Sequence, residues 1–207
     1  VATATAKTDV SIQLIANGNV NVNENLTTTG TGAILIQADA DAAGGGSAVL
    51  AAGKTIASAG GLIDLRGATI DLNGLVNAGG GNVSMTAGAG GIVDSNGASN
   101  NITANQLAFT SGGSVSLDVN VTTVSSASAT GSLDIADLGG GMAVTTASAT
   151  TTLALSADGG TLSIGAGGIT SGGALGQNIS LTTTTSGGVS IGGNVGANLA
   201  DVTINAV

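Results

Sequence analysis

Twelve carboxylates and three cations (Lys7, Lys54 and Arg66) carry all the side-chain charge of this 207-residue chain, so polar chemistry has few places to reside. Asp39-Ala-Asp41 sets two carboxylates one residue apart, ahead of Gly44-Gly45-Gly46. Calcium loops use that spacing because alternate side chains converge on one oxygen-seeking ion. The third and bidentate ligands are missing, as is a Gly-Gly-x-Gly-x-Asp repeat, so an exposed, solvated corner is expected there. Asp134 and Asp137, flanking Ile135, are a weaker pair of the same kind. Asp64, Asp71, Asp94 and Asp118 are acids of the sort that cleave glycosides in pairs. Seating a sugar also needs cationic or aromatic groups, and only Arg66 is placed to help. Asp64 and Arg66, at i and i+2 on one strand face, suit a surface ion pair worth under about 1 kcal/mol. The expectation is a protein that is not an enzyme, with no catalytic, cofactor-binding or metal-binding residue and no cofactor.

The absences narrow the field further. There is no His and no Cys, which removes Ser-His-Asp and Cys-His nucleophiles, the usual zinc ligands, disulfides and haem ligation. A net charge of -9 with three cations cannot neutralise a phosphate backbone, so no nucleic-acid partner is expected. Phe109 is the sole aromatic residue, leaving no stacking platform for bases or sugars. Ile, Leu, Val and Phe make up about a quarter of the chain, above the composition of disordered sequences. No apolar run approaches the roughly 18 residues of a membrane helix, so no membrane insertion is expected.

Thr and Asn are the distinctive polar residues. Thr27-Thr28-Thr29, Thr122-Thr123, Thr145-Thr146, Thr150-Thr151-Thr152 and Thr182 to Thr185 would present methyl and hydroxyl groups if they faced outward, a surface suited to glycans or ice. Their uneven spacing argues against an ice face, and Thr suits β structure in any case. Asn17, Asn19, Asn21, Asn23, Asn25, Asn100 and Asn101 suggest stacked amide ladders. Asn25-Leu-Thr27, Asn82-Val-Ser84, Asn101-Ile-Thr103 and Asn178-Ile-Ser180 fit the glycosylation acceptor pattern.

The elements that must position these groups are strands. Val10-Ser-Ile12-Gln-Leu14, Val83-Ser-Met85, Val115-Ser-Leu117-Asp-Val119, Leu133-Asp-Ile135, Leu153-Ala-Leu155, Ile179-Ser-Leu181 and Val202-Thr-Ile204 all place apolar residues at i and i+2. No helical stripe is present. The strand pattern recurs from Val115 to Leu133, from Leu133 to Leu153 and from Ile179 to Val202. A repeat of about 20 residues holding two or three short strands reads as one coil of a parallel β-solenoid. Coils stack about 4.8 Å apart and bury a common interior. Roughly nine coils are expected, in one solenoid domain over residues 1–207 that is a segment of a longer chain or a fibre protomer. Gly44 to Gly46, Gly79 to Gly81 and Gly139 to Gly141 supply corners. The absence of Pro fits a backbone whose every amide is paired. Asn17-Gly18, Asn73-Gly74 and Asn96-Gly97 are candidate hairpin turns of a competing antiparallel sandwich, too few for a meander.

Gly81-Asn-Val-Ser-Met-Thr-Ala-Gly88, Gly113-Ser-Val-Ser-Leu-Asp118, Gln177-Asn-Ile-Ser-Leu-Thr182 and Gly188-Val-Ser-Ile-Gly-Gly-Asn-Val195 resemble the repeats of filamentous-haemagglutinin-type bacterial exoproteins. The resemblance covers most of the chain and is strongest from about residue 80. It implies a right-handed parallel β-helix, secretion, and display as the stalk or fibre of a surface adhesin. Asp201 to Val207 still reads as a strand without a cap. The expected partner is therefore the protein itself, end to end, or flanking repeats of the same chain.

Overall fold

Strands with one apolar and one polar face need a partner layer for the apolar side. Here the chain supplies it by coiling on itself. The computed structural model describes residues 4–172, 175–197 and 201–207. Among the described residues, 22 strands wind into a β-solenoid of about nine turns. Every strand pairing among the described residues is parallel. Asn17-Gly18, Asn73-Gly74 and Asn96-Gly97 accordingly lie at corners between successive strands, not in hairpins.

Several inward columns run along the rod. The first stacks Ile12, Ile34, Ile63, Val83, Leu107, Val124, Val144, Ile164 and Ile191. The second stacks Val20, Ala48, Ile70, Ile92, Val115, Leu133, Leu153, Ile179 and Val202. The third begins Ala4, Leu26, Ile56, Val76, Ile102 and Val119, then continues as Asp137, Ala157 and Thr183. Between the end rungs these aliphatic residues are almost wholly removed from water and form one continuous core. Phe109 fits the same interior because it stacks on Met85 from one coil and Ala127 from the next. A small neighbour makes room for the ring.

The recurrences read from the sequence, Val115 to Leu133, Leu133 to Leu153 and Ile179 to Val202, are register steps of the second column. Coil length nevertheless varies. In the first column the step from Ile34 to Ile63 is much longer than that from Leu107 to Val124. Loops such as 38–46 take up the excess without disturbing the ladders.

Glycine does more than supply left-handed turns. At the corner before the first column, a Cβ on Gly61 would strike the Gly32 carbonyl one coil below, and one on Gly81 would lie 2.6 Å from the Gly60 and Gly61 carbonyls. Gly140, Gly160 and Gly187 form a second such series. Gly61, Gly81 and Gly160 have no positive φ; the backbone beneath them leaves no room for a side chain.

The cross-section changes along the rod. Up to residue 104 the second and third columns lie on separate strands, for example Val20–Val22 and Leu26–Thr29, or Ser47–Leu50 and Thr55–Ala57. From Val115 onward both columns share one strand, as in Leu133–Asp137, Leu153–Asp158 and Ile179–Thr184. The first column does the opposite. One strand, Ile102–Ser111, covers it, whereas later coils break it into Met142–Val144 with Ala147–Ala149 and Leu162–Ile164 with Ile169–Ser171.

Asn101 sits at the joint, 0% exposed. Its Nδ2 donates to the Leu72 carbonyl at 3.3 Å and to Asp94 Oδ1 at 3.1 Å, while its Oδ1 accepts the Asp118 amide at 2.8 Å. The side chain replaces backbone pairing where a coil with a long loop (95–100) meets one without it.

Candidate functional site

The acidic residues separate into groups with different tasks. Asp39 takes a left-handed conformation (φ 53) and spends its carboxylate on its own loop. Its Oδ1 accepts the Gly44 amide at 2.9 Å and the Gly45 amide at 3.2 Å, and Oδ2 accepts Gly44 at 3.1 Å. Asp41 Oδ1 accepts the Ala43 amide at 3.4 Å. Both carboxylates close the turn, and no group of three or more acidic side chains able to hold a metal ion occurs among the described residues. Asp134 lies on the outer face whereas Asp137 is buried inside. Two residues on opposite faces of one strand cannot share an ion, so their pairing does not survive.

Asp64 and Arg66 form the expected surface ion pair, with Nε at 3.0 Å and Nη2 at 2.5 Å from Asp64 Oδ2. That bond and charge raise the Arg66 pKa above its ordinary value. Lys54 pairs with Glu24 at 2.9 Å. Asp71 and Asp134 point outward from the second column, one residue after Ile70 and Leu133. Asp94 accepts the Asn96 amide at 2.8 Å in addition to Asn101. Desolvation by neighbouring coils, and then the charges of Asp94 and Asp134, push the Asp118 carboxyl upward, and desolvation does the same to Asp134. The two cations whose side chains are described are paired elsewhere, so this acidic face has no cation to seat an anionic or sugar substrate. Lys7 carries its side chain outside the described set.

The threonine runs are divided between inside and outside. Thr28 and Thr183 are 1% and 0% exposed. They donate to carbonyls across their corners, Thr28 Oγ1 to Gly32 at 2.6 Å and Thr183 Oγ1 to Gly187 at 3.3 Å. Ser58 does the same to Gly61 at 2.6 Å, Ser111 to Gly113 at 3.2 Å and Ser171 to Gln177 at 2.7 Å. Sequence reasoning missed these corner hydroxyls. The signal was present for all five, as Ser or Thr in phase with the inward apolar residues and followed by Gly two to four positions later.

Outside, a different set lines up. Thr86, Thr110, Ser128, Ser148 and Thr170 are register partners on five successive coils. Ser148 Oγ donates to Ser128 Oγ at 3.3 Å. Thr130 and Thr150 lie two residues beyond Ser128 and Ser148 and bond to the Gly112 and Thr130 carbonyls of the coils beneath. Their coil steps are unequal, yet a register shift between Leu107 and Ala108 and the later loops bring the hydroxyls into one row.

The asparagines do not form amide-on-amide ladders among the described contacts. Several instead accept a backbone N–H from the next coil: Asn19 from Ser47 at 2.8 Å, Asn25 from Thr55 at 2.9 Å, Asn178 from Asp201 at 3.2 Å. Asp9 Oδ1 takes the Thr31 amide at 2.6 Å in the same sense. Of the four glycosylation patterns, Asn101 is sealed in the joint, Asn25 and Asn178 hold neighbouring coils, and Asn82 is exposed.

Among the described residues, Ile12–Ile15 and Val20–Val22 pair on one side, as do Val189–Ile191, Val195–Ala197 and Val202–Asn205. Ile191, Val202 and Ile204 are 44%, 42% and 47% exposed. No family model, curated protein or solved structure matches the chain, so what it shares with known proteins rests on the β-solenoid itself.

Proposed function

We propose that this chain is a length of non-catalytic fibre or adhesin body, secreted and displayed at a cell surface. It extends by stacking on further coils of the same chain or on a second copy. The observation that carries this reading is the set of parallel ladders and the continuous aliphatic core that run through about nine turns of the solenoid. Each coil presents its strand edges along the rod axis, and such edges are templates for another strand. Load applied along such a rod is spread over many backbone hydrogen bonds. The resemblance of the Gly-x-Val-Ser repeats to filamentous-haemagglutinin-type exoproteins supports the same role. Electron microscopy and sedimentation of the 207-residue chain test it. Concentration-dependent filaments with an axial repeat near a multiple of about 4.8 Å are expected. Monomers at the highest attainable concentration, with no filaments in the native material, would sink the idea.

The hydroxyl row from Thr86 to Thr170 favours a second reading, a face that recognises glycans or ice. Extended strands space i and i+2 side chains by about 6.6 Å and coils by about 4.8 Å, so these hydroxyls form a regular uncharged array. Thermal hysteresis, or retention on an insoluble polysaccharide, that disappears in Thr110→Lys is the expected result. Absence of both activities in the unaltered protein removes this reading.

A further inference from the structure

The third column is aliphatic from Leu26 to Val119 and then reaches Asp137. This carboxylate is 2% exposed, with Val119 on one side of it and Ala157 on the other. Oδ2 accepts the Gly141 amide at 3.1 Å, and the Val121 and Gly139 amides lie close enough to favour the charged form. Oδ1 is buried without a partner. The charge that bears on it is Asp158 on the coil after, of like sign; Asp118 on the coil before and Asp134 on its own strand are acidic too and lie on the outer face. The turn 138–141 and the strand Met142–Val144 bring no ionisable group, and the described cations Lys54 and Arg66 are bonded to Glu24 and Asp64. A buried carboxylate with no counter-charge is expensive unless it holds a proton.

We propose that the coil containing Asp137 is a proton-gated rung. Protonated, Asp137 completes the third column and the 138–141 turn closes over it. Ionised, it loosens that turn and the strand pairings on either side, so the rod is firmest in mildly acidic surroundings.

The electrostatics agree with the geometry. Burial pushes the Asp137 carboxyl up to about 6, against the pull of the three amides and with Asp158 adding to the rise. The folded state therefore keeps a proton that the unfolded chain has already released. Stability grows as pH falls from neutrality and is lost as pH rises through about 6. A shift of about two units corresponds to as much as ~100-fold in the folding equilibrium. Asp118 and Asp134 are raised in the same direction, so the test must separate them from Asp137.

Carboxyl carbon NMR titration of the 207-residue chain gives the Asp137 midpoint directly, and melting at about pH 7.5 and about pH 5 gives the consequence. The expected midpoint lies near 6, with a higher Tm at the acidic pH and greater protection of the Gly139 and Gly141 amides, measured relative to their intrinsic exchange rates at each pH. Asp137→Asn should melt higher than wild type at the alkaline pH and lose most of the pH-dependent rise. The double variant Asp118→Asn, Asp134→Asn should keep that rise. An Asp137 midpoint in the ordinary carboxylate range, or an Asp137→Asn variant that keeps the whole rise, overturns the proposal. Where Asp137→Asn does not fold, the wild-type titration and amide exchange decide alone.

Discussion

Residues 20–104 turn a corner between the second and third inward columns, whereas residues 115–184 run straight through it. In the first region the path from one column to the other leads from Val20 to Leu26, Ala48 to Ile56, Ile70 to Val76, and Ile92 to Ile102. Its length varies, and each path includes a turn. In the second region it is short and constant, from Val115 to Val119, Leu133 to Asp137, Leu153 to Ala157 and Ile179 to Thr183. An even, short stretch of extended chain keeps both ends on one face, so the corner has moved elsewhere on the coil. The side chains follow the change. Leu26, Ile56, Val76 and Ile102 fill the third column in the first region; in the second, Val119 is followed by Asp137, Ala157 and Thr183. The same ladders thus carry an aliphatic corner in one region and a smaller, more polar one in the other.

The most severe test removes the feature both regions share. Gly61→Val and Gly160→Val each drive a side chain into the carbonyl one coil below. Each should cost about 4 kcal/mol or more, read by chemical denaturation. Gly45→Ala meets open space and should change stability by less than about 0.5 kcal/mol. Equal tolerance of all three would show that the stacked glycines are not a constraint.

The next test separates the regions. Ile56→Ala should lose about 3 kcal/mol through the cavity it leaves, whereas Thr183→Val, which gives up a 3.3 Å bond, should lose about 1 kcal/mol. Similar losses at both positions would erase the distinction between an aliphatic and a polar corner. Asn101→Ala attacks the joint itself. Leaving the Asp118 amide unpaired and emptying the space beside Asp94 and Leu72 should cost about 2 kcal/mol. Amide exchange should then accelerate around 95–118 before it does in the flanking coils. Uniform exchange throughout would mean that Asn101 joins nothing. Smallest of all, Arg66→Ala removes an exposed ion pair and should shift stability by no more than about 0.5 kcal/mol in a salt-sensitive way.

Much of the candidate chemistry was legible in the chain, though in a phase that reading by motif obscured. Parity alone puts Asp137 with Leu133 and Ile135, and Thr28 with Leu26, on the inward side. Treating Asp134 and Asp137 as a pair, or Thr27 to Thr29 as one outward run, ignores that strand side chains alternate. The Asp64–Arg66 pair was legible because it is local, two residues apart on one strand. Asn101 was not, since its partners Leu72, Asp94 and Asp118 come from three coils.

Alternation with period two, glycine at the corners and the lack of proline determine by themselves that this chain coils into stacked parallel strands. Those features act within a few residues, where sterics and backbone hydrogen bonding have no alternative to offer. Which residue lies over which is decided only when the coils close. Loops of unequal length are free to absorb any surplus, and the aliphatic columns choose the register that buries them best. That choice carries Asp137 into the interior, brings Thr86 to Thr170 into one row on the outside, and moves the corner halfway along the rod.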